Sequence, residues 1–154
     1  MNIFILDTNP KIAAQYHLDK HVVKMILETA QLLCSAHWLN GNAAPYKLTH
    51  KNHPCSIWTR ECIENYNWLC ILGLELCKEY TYRYEKIHKT QEHLIWLYKN
   101  KPPLKTMGVC TLPPCAMPIE CKQNSVVASY RNYYITEKRS FARWTKRTQP
   151  EWFY

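Results

Sequence analysis

Five polar residues follow one another at helical spacing near the start of the chain. They are His17, His21, Lys24, Glu28 and Gln31, separated by four, three, four and three residues. Because an α-helix turns by about 100° per residue, this spacing places all five side chains on one face. Imidazoles, an ammonium group and a carboxylate on one face could transfer protons or supply an amine nucleophile beside a general base.

One interpretation of this polar stripe is a catalyst that uses an amine. Lys24, or Lys20 beside the stripe, would be the nucleophile, because neighbouring cations favour the neutral amine that forms a Schiff base. Glu28 and His21 would transfer the protons. We therefore take His17, His21, Lys24 and Glu28 as the candidate catalytic residues.

The two histidines allow a second interpretation, a divalent metal site. His17 and His21 stand four residues apart, so each could direct one ring nitrogen at the same ion. His50 or His53 would supply a third ligand. The zinc-protease sequence, in which glutamate follows the first histidine, is absent because Leu18 stands there. A third interpretation involves no chemistry: the stripe would be a buried polar network that joins the helices.

A basic and aromatic region occupies the last fifth of the chain. The net charge is +8, from 20 Lys and Arg against 12 Asp and Glu, and residues 122–154 hold seven of those bases and two of the acids. Cations pair with phosphates and aromatic rings stack on unpaired bases, so this mixture suits DNA or a nucleotide ligand. An amphipathic helix with solvated bases is the alternative. The candidate binding residues here are Tyr130, Arg131, Tyr134, Lys138, Arg143, Trp144, Lys146 and Arg147.

A smaller group of bases surrounds the predicted start of the second helix. His50 and His53 precede it, and a helix N-terminus favours an anion such as phosphate. A simple helix cap explains His53 nearly as well. The further candidate phosphate-binding residues are Lys20, Lys47, His50, His53 and Arg60.

Four helices are predicted to position these groups. Asn9 or Thr8 would cap the first helix, with Pro10 at its first position. Only three glycines are present, which argues against a barrel or sandwich with many tight turns. We predict a mainly α fold in a single domain, 1–154, with an extended segment at 2–6 and a proline-rich connector at 101–122. The predicted helices span residues 10–38, 54–84, 90–99 and 125–146.

Apolar residues at helical spacing predict the core. Free cysteine behaves as a small apolar side chain, and we expect four of the eight cysteines to be buried. The other clustered cysteines, at 110, 115 and 121, lack the two-residue gap of a zinc knuckle. The predicted core includes Leu18, Val22, Met25, Ile26, Leu33, Trp58, Leu69, Leu72, Leu76, Tyr80, Cys34, Cys62, Cys70 and Cys77.

Location follows from two absences in the sequence. No apolar run reaches the length of about 18 residues that a membrane span needs. The first residues lack the basic region and cleavage site of a signal peptide. We therefore expect a cytoplasmic protein that has no membrane partner.

Three motifs resemble the pyrimidine-dimer DNA glycosylase/AP-lyase family, small viral repair enzymes built from three helices. Residues 13–18, Ala-Ala-Gln-Tyr-His-Leu, are similar to an Ala-x-Gln-His-Leu run in the first helix of that family. Residues 50–66 are similar to the start of its second helix, and residues 150–154 to its Pro-x-Trp-Tyr tail. The whole chain resembles a group of uncharacterised phage and giant-virus proteins more closely, and those proteins imply no activity.

The glycosylase resemblance implies an enzyme that flips a base, attacks the sugar C1′ and cuts the strand by β-elimination, with no metal or cofactor. In that family the nucleophile is the α-amine freed when Met is removed before Thr. Residue 2 here is Asn2, a poor context for that removal. The family's glutamate position holds Lys24, so Glu28, one turn later, would replace it, or Lys24 would form the imine.

The leading hypothesis is therefore a viral DNA glycosylase/AP-lyase. The alternatives are a non-catalytic protein that sequesters a nucleotide or nucleic acid, and a metal-dependent nuclease or phosphohydrolase that uses His17, His21, His50 and Glu28. We expect the candidate catalytic groups to line a solvent-accessible hollow covered by the basic last helix.

Overall fold

The computed structural model describes residues 1–154 and contains helices but no strand. Two short 3₁₀ helices, Ile119–Cys121 and Arg139–Phe141, flank the last α-helix. The predicted mainly α fold is confirmed, and α4 is its centre, packing against α1, α2, α3 and α5. The helices are α1 (Pro10–Tyr16), α2 (Asp19–Trp38), α3 (Pro54–Glu61), α4 (Ile63–Tyr84), α5 (Gln91–Lys99) and α6 (Val126–Glu137).

The predicted first helix, 10–38, is wrong in one respect, because it is two helices separated at His17 and Leu18. The buried guanidinium of Arg83 causes the break. It donates to the carbonyl oxygens of Gln15 (3.0 Å) and His17 (2.8 Å). Because these oxygens already accept hydrogen bonds, they do not require amide donors from a further turn of helix. The predicted start is confirmed: Asn9 caps α1, and its side chain accepts from the amides of the first turn.

The predicted second helix, 54–84, is also two helices, separated at Cys62, whose backbone is extended. Two non-helical bonds, one of them long-range, replace the helical ones there. The amide of Ile63 donates to the Lys105 carbonyl (2.8 Å), and the Asn65 side chain donates to the Trp58 carbonyl (2.8 Å). The proline-rich connector therefore interrupts this helix from outside.

The predicted last helix, 125–146, ends early, at Glu137. Beyond it the chain leaves the helical path and bonds to the α1–α2 junction. The Trp144 indole donates to the Tyr16 carbonyl (2.8 Å), and the Arg143 carbonyl accepts from the Asp19 amide (2.8 Å). The basic region is thus a short helix followed by an irregular segment fastened to the α1–α2 junction.

The predicted core is largely confirmed. All five apolar residues predicted from the first helix are buried, as are the four cysteines, whereas Tyr80 is half-buried. The shorter helix predicted at 90–99 is present as α5. None of the helices has the length and apolar character that crossing a lipid bilayer requires.

Candidate active site

An open cavity of about 540 Å³ lies beside the exposed face of α2, where the first residue of the chain meets that helix. It brings together three members of the polar stripe with residues from two loops. Its wall contains one carboxylate, several bases and an amide. The lining residues are Met1, Val23, Lys24, Leu27, Glu28, Gln31, His50, His88 and Lys89.

The floor of this cavity is an ion pair between the chain's own α-amine and a carboxylate. The α-amino nitrogen of Met1 lies 3.4 Å from Glu28 Oε1, and Lys24 Nζ lies 3.8 Å from Oε2. Glu28 is only 9% exposed, whereas the Lys24 side chain is 72% exposed. Because solvent screens Lys24 strongly, the buried pair of Glu28 with the α-amine is the stronger interaction.

The α-amine remains accessible although its residue is anchored. The side chain of Met1 is 2% exposed, yet the residue as a whole is only half-buried. The accessible part of Met1 is therefore its backbone end, which carries the amine. The site thus presents an amine to solvent next to a buried carboxylate, an arrangement suited to nucleophilic catalysis.

His17 does not reach the cavity, contrary to our expectation. It is fully buried, and its Nδ1 donates to the Ala13 carbonyl (2.7 Å). Burial lowers the pKa of His17 to about 4; the bond to Ala13 opposes this effect, and nearby Arg83 adds to it. The break after α1 takes His17 off the face of α2.

His21 is also outside the cavity, although it belongs to α2. Its ring stacks on Phe4 at 4.2 Å, and its Nδ1 lies 2.7 Å from the hydroxyl of Tyr134. Burial, followed by the charges of His17, Lys138 and Lys24, lowers its pKa to about 2. The N-terminal segment covers this turn of the helix, so the expected line of four catalytic side chains is reduced to Lys24 and Glu28.

The loop before α3 contributes one histidine to the cavity. His50 lines it from a left-handed backbone conformation (φ 49°), and its Nδ1 lies 2.7 Å from the Thr49 hydroxyl. His53 instead caps α3, because its Nδ1 accepts from the Cys55 amide (3.0 Å). Burial lowers the pKa of His53, and the positive α-amine of Met1 adds to that effect.

Sequence reasoning did not assign three cavity residues to a site. It left the α-amine of Met1 in doubt and passed over His88 and Lys89. His88 Nε2 donates to the Val23 carbonyl (3.2 Å), while its Nδ1 accepts from the Thr90 amide (3.1 Å). No local spacing rule connects residues 1 and 88 to α2, so the sequence could not place them in one site. The only hint was the group of basic residues at 86–89.

Two predicted binding residues form a positively charged surface beside the cavity. Lys20, one turn before Lys24 on α2, lies 5.0 Å from the ring centre of Phe141. Lys138 lies 4.6 Å from the ring centre of Tyr133 and 5.9 Å from that of Phe141. We call Lys20, Lys24 and Lys138 the lysine surface. Neither Lys20 nor Lys138 makes an ion pair, so both are available for phosphate oxygens.

Other predicted binding residues are committed to the interior or to internal bonds. Tyr130 and Tyr134 are fully buried. Arg131 donates to the Leu6 carbonyl (2.9 Å), and Arg147 forms an ion pair with buried Glu79 (2.5 Å). Their partners come from the N-terminal segment for Tyr130 and Arg131, from the α1–α2 junction and α2 for Tyr134, and from α4 for Arg147. Full burial excludes the predicted stacking role of Tyr130 and Tyr134, whereas the binding role of Arg131 and Arg147, whose side chains are 28% and 32% exposed, stays a prediction.

The remaining candidates are scattered around the molecule. Trp144 is half-buried against the α1 end, and Arg60 donates to the Lys51 carbonyl (2.7 Å). Lys146 contacts the Tyr82 carbonyl (3.2 Å), while Lys47 and Arg143 are exposed. None of them lines the cavity. The expectation that the basic last helix covers the site is wrong, because that helix ends at residue 137 and its tail runs towards α1.

No three His, Cys, Asp or Glu side chains approach one another closely enough to hold a metal ion. The set proposed for a metal-dependent nuclease is separated, since His17 and His21 are buried away from His50 and Glu28. The clustered cysteines also diverge: Cys110 is exposed, Cys115 half-buried and Cys121 buried. This arrangement does not support the metal interpretation.

A larger cavity of about 610 Å³ lies elsewhere, and its lining is mainly apolar. Trp58 and Trp68 form part of its wall, and both indole groups donate to backbone carbonyls. Its only titratable side chain is Cys110. The smaller cavity is therefore the better candidate for chemistry.

Comparison with known proteins adds no assignment to this geometry. A scan against protein-family models finds no match, and searches of curated proteins and of solved structures return no significant match. The resemblance to the pyrimidine-dimer glycosylases therefore remains a prediction.

Proposed function

We propose that this protein is a DNA glycosylase/AP-lyase that acts through an amine nucleophile. The α-amine of Met1, held 3.4 Å from Glu28 at the edge of an open cavity, is the observation that carries this proposal. Burying a charge is unfavourable unless it is paired, and the α-amine of Met1 is the partner that compensates the buried Glu28 carboxylate. Here the pair places an amine beside a carboxylate that can accept its proton, at the edge of the open cavity.

The proposed reaction begins when the neutral amine attacks C1′ of a nucleotide. A bond forms between the amine nitrogen and C1′, the bond from C1′ to the base breaks, and the base leaves with a proton. Before the attack, Glu28 accepts a proton from the α-ammonium group, which frees the lone pair of the nitrogen, and it then passes this proton to the departing base. The C1′–O4′ bond of the sugar ring then breaks, O4′ takes a proton from the nitrogen, and a Schiff base remains between C1′ and the amine.

Strand cleavage follows from the Schiff base by β-elimination. A base removes a proton from C2′, a C2′–C3′ double bond forms, and the bond from C3′ to the phosphate oxygen breaks. His50 and Glu28 both line the cavity and are the groups available for this proton transfer. Water then releases the amine and the cleaved sugar.

The lysine surface supports a DNA substrate. Lys24 lines the cavity, Lys20 lies one turn before it on α2, and Lys138 contacts the same Phe141 ring as Lys20. A row of cations next to a cavity with a nucleophile would hold phosphates on either side of the reacting nucleotide.

Borohydride trapping tests the proposal directly. Borohydride reduces a Schiff base, so the protein should become covalently attached to duplex DNA that contains an abasic site or a pyrimidine dimer. Peptide mass spectrometry then locates the adduct on Met1 or on Lys24, the second amine beside Glu28. If DNA of both kinds yields no adduct and no cleavage, the enzyme proposal is wrong.

Matched variants sharpen the test. We expect Glu28→Gln to slow adduct formation by about 100-fold or more, since proton transfer contributes that much in such reactions. The control is Glu75→Gln on α4, which removes a carboxylate paired with Lys78 (3.1 Å) outside the cavity. Equal rates for Glu28→Gln and the control would contradict the assigned role of Glu28.

The lysine surface by itself favours a second candidate, a protein that binds nucleic acid without acting on it. Such a protein would need the cations but not the buried amine–carboxylate pair. Tight, salt-sensitive binding of DNA without any borohydride adduct would identify this function.

A further inference from the structure

The second residue of the chain is the most heavily bonded part of the N-terminal segment. The Asn2 side chain is buried, and its Oδ1 accepts from the Tyr130 hydroxyl (2.8 Å) and from the Ile3 amide (2.8 Å). Its Nδ2 donates to the Ala116 carbonyl (2.9 Å). A single carboxamide thus connects the start of the chain to α6 and to the proline-rich connector.

This carboxamide replaces the hydrogen bonds that normally hold an extended segment. Residues 2–6 are buried but belong to no sheet, and their only backbone bond to one another runs from the Leu6 amide to the Phe4 carbonyl (3.0 Å). Chain termini without such ties are usually mobile. The position of the α-amine therefore depends on side-chain anchors.

Tyr130 completes the anchor from the other side. Its ring is fully buried, and its hydroxyl accepts from the Ala116 amide (3.2 Å) while it bonds Asn2. The Met1 side chain, 2% exposed, fills the space beyond Asn2. Burial thus fixes the side chains of Met1 and Asn2, and the α-amine of Met1 lies beside Glu28.

We infer that Asn2 and Tyr130 are positioning residues that set the register of the N-terminus, so that the amine of Met1, and not that of Asn2, is the nucleophile. This inference rests on the proposed function. If Met1 were absent, the Asn2 anchor would hold the new amine about 3.8 Å farther along the chain. The new amine would then be too far from Glu28 for an ion pair.

The register is tested by preparing the protein with each of the two possible first residues. Ubiquitin fusions cleaved by a deubiquitinase release one form that starts at Met1 and another that starts at Asn2, and intact mass verifies both. With abasic duplex DNA and borohydride, the Met1 form should react at least about 100-fold faster, the usual consequence of a misplacement of one ångström or more. An Asn2 form that reacts as fast as the Met1 form overturns the inference.

The anchor is tested by Tyr130→Phe, which deletes the hydroxyl that bonds Asn2 and the backbone of Pro114 and Ala116. The matched control is Tyr134→Phe, which deletes another fully buried hydroxyl of α6 that has no contact with Asn2. We expect Tyr130→Phe to slow single-turnover adduct formation by about 100-fold with an unchanged Kd for DNA, and Tyr134→Phe to react at nearly the wild-type rate. Equal rates for the two variants contradict the anchor.

The two proposals fail in different ways. If neither form of the protein gives an adduct, the proposed function is wrong, and the inference is wrong with it. If both forms give the same adduct on Lys24, the enzyme proposal stands and the register inference is wrong. Should Tyr130→Phe not fold, the comparison of the Met1 and Asn2 forms still decides.

Discussion

Acid should destabilise this protein through His17, and the effect can be isolated. The Ala13 carbonyl can only accept, so Nδ1 of His17 carries the ring proton, and Nε2 is a buried acceptor without any partner. A second proton on this ring would create a fully buried cation next to the Arg83 guanidinium. The folded protein therefore resists protonation, whereas the unfolded chain does not.

The size of the effect follows from the shifted pKa. The pKa of His17 falls from 6.5 to about 4 on folding. Above pH 6.5 the ring is neutral in both states and contributes nothing to the pH dependence. Below that value only the unfolded chain binds the proton, so stability falls by about 1.4 kcal/mol for each pH unit until the folded pKa is reached. Over about 2.5 units the loss is about 3 kcal/mol.

The experiment compares urea unfolding of wild type and His17→Asn at about pH 7 and about pH 4. The Asn amide nitrogen can keep the bond to Ala13, and the constant cost of the substitution cancels when each protein is compared with itself. We expect the wild type to lose about 3 kcal/mol more than the variant on acidification. The control is His93→Asn, since the His93 side chain is 32% exposed, whereas His17 is fully buried.

One result would refute this reasoning. If His17→Asn loses as much stability as wild type between the two pH values, the His17 ring is not held neutral by burial. Because His17 does not line the cavity, the variant should also keep the wild-type rate of adduct formation at neutral pH.

Three further predictions concern packing, a loop and the DNA surface. Gly73→Ala should lower the free energy of unfolding by about 1 kcal/mol despite its better helix propensity, because the new Cβ would lie 2.9 Å from buried Leu94; equal or higher stability in urea would contradict this. The Glu64 carboxylate accepts from the Gly108 amide (3.0 Å), and hydrogen bonds from the 106–108 loop lower the pKa of Glu64 to about 2. The stabilisation from these bonds is therefore complete above pH 4.5 and is lost as the pH falls through about 2. Glu64→Gln should therefore speed hydrogen exchange of that amide at neutral pH, and unchanged exchange would count against the assignment. Replacing Lys20 and Lys138 by Ala should weaken DNA binding, measured by fluorescence anisotropy, and reduce its salt dependence by about two phosphate contacts; an unchanged slope would show that DNA binds elsewhere.

Local pattern alone predicted a good part of this fold. The cap at Asn9, the apolar stripe from Leu18 to Leu33 and the buried cysteines all follow from spacings of three or four residues. The same rule placed Lys24, Glu28 and Gln31 on one face, and these three do share the cavity. Neighbours along a helix interact in the same way in any fold, so the sequence reveals them.

The breaks in the helices come from partners that are distant along the chain. Arg83 terminates α1, the Lys105 carbonyl takes the amide at the start of α4, and the α1 end captures Trp144 after α6. Each partner satisfies a backbone group that a continuous helix would otherwise satisfy. Local periodicity contains no information about such partners, and it therefore predicts helices that are too long.

The candidate site was likewise predicted only in part, because some of its contacts are local and others are long-range. Residue types on α2 indicated an amine and a carboxylate, but the sequence could not say which amine Glu28 meets. That choice depends on Asn2 and Tyr130, which are 128 residues apart and come together only when α6 packs on the N-terminal segment. Side-chain chemistry along one helix can thus be predicted from the sequence, whereas the burial of His17 and the position of the Met1 amine depend on long-range packing.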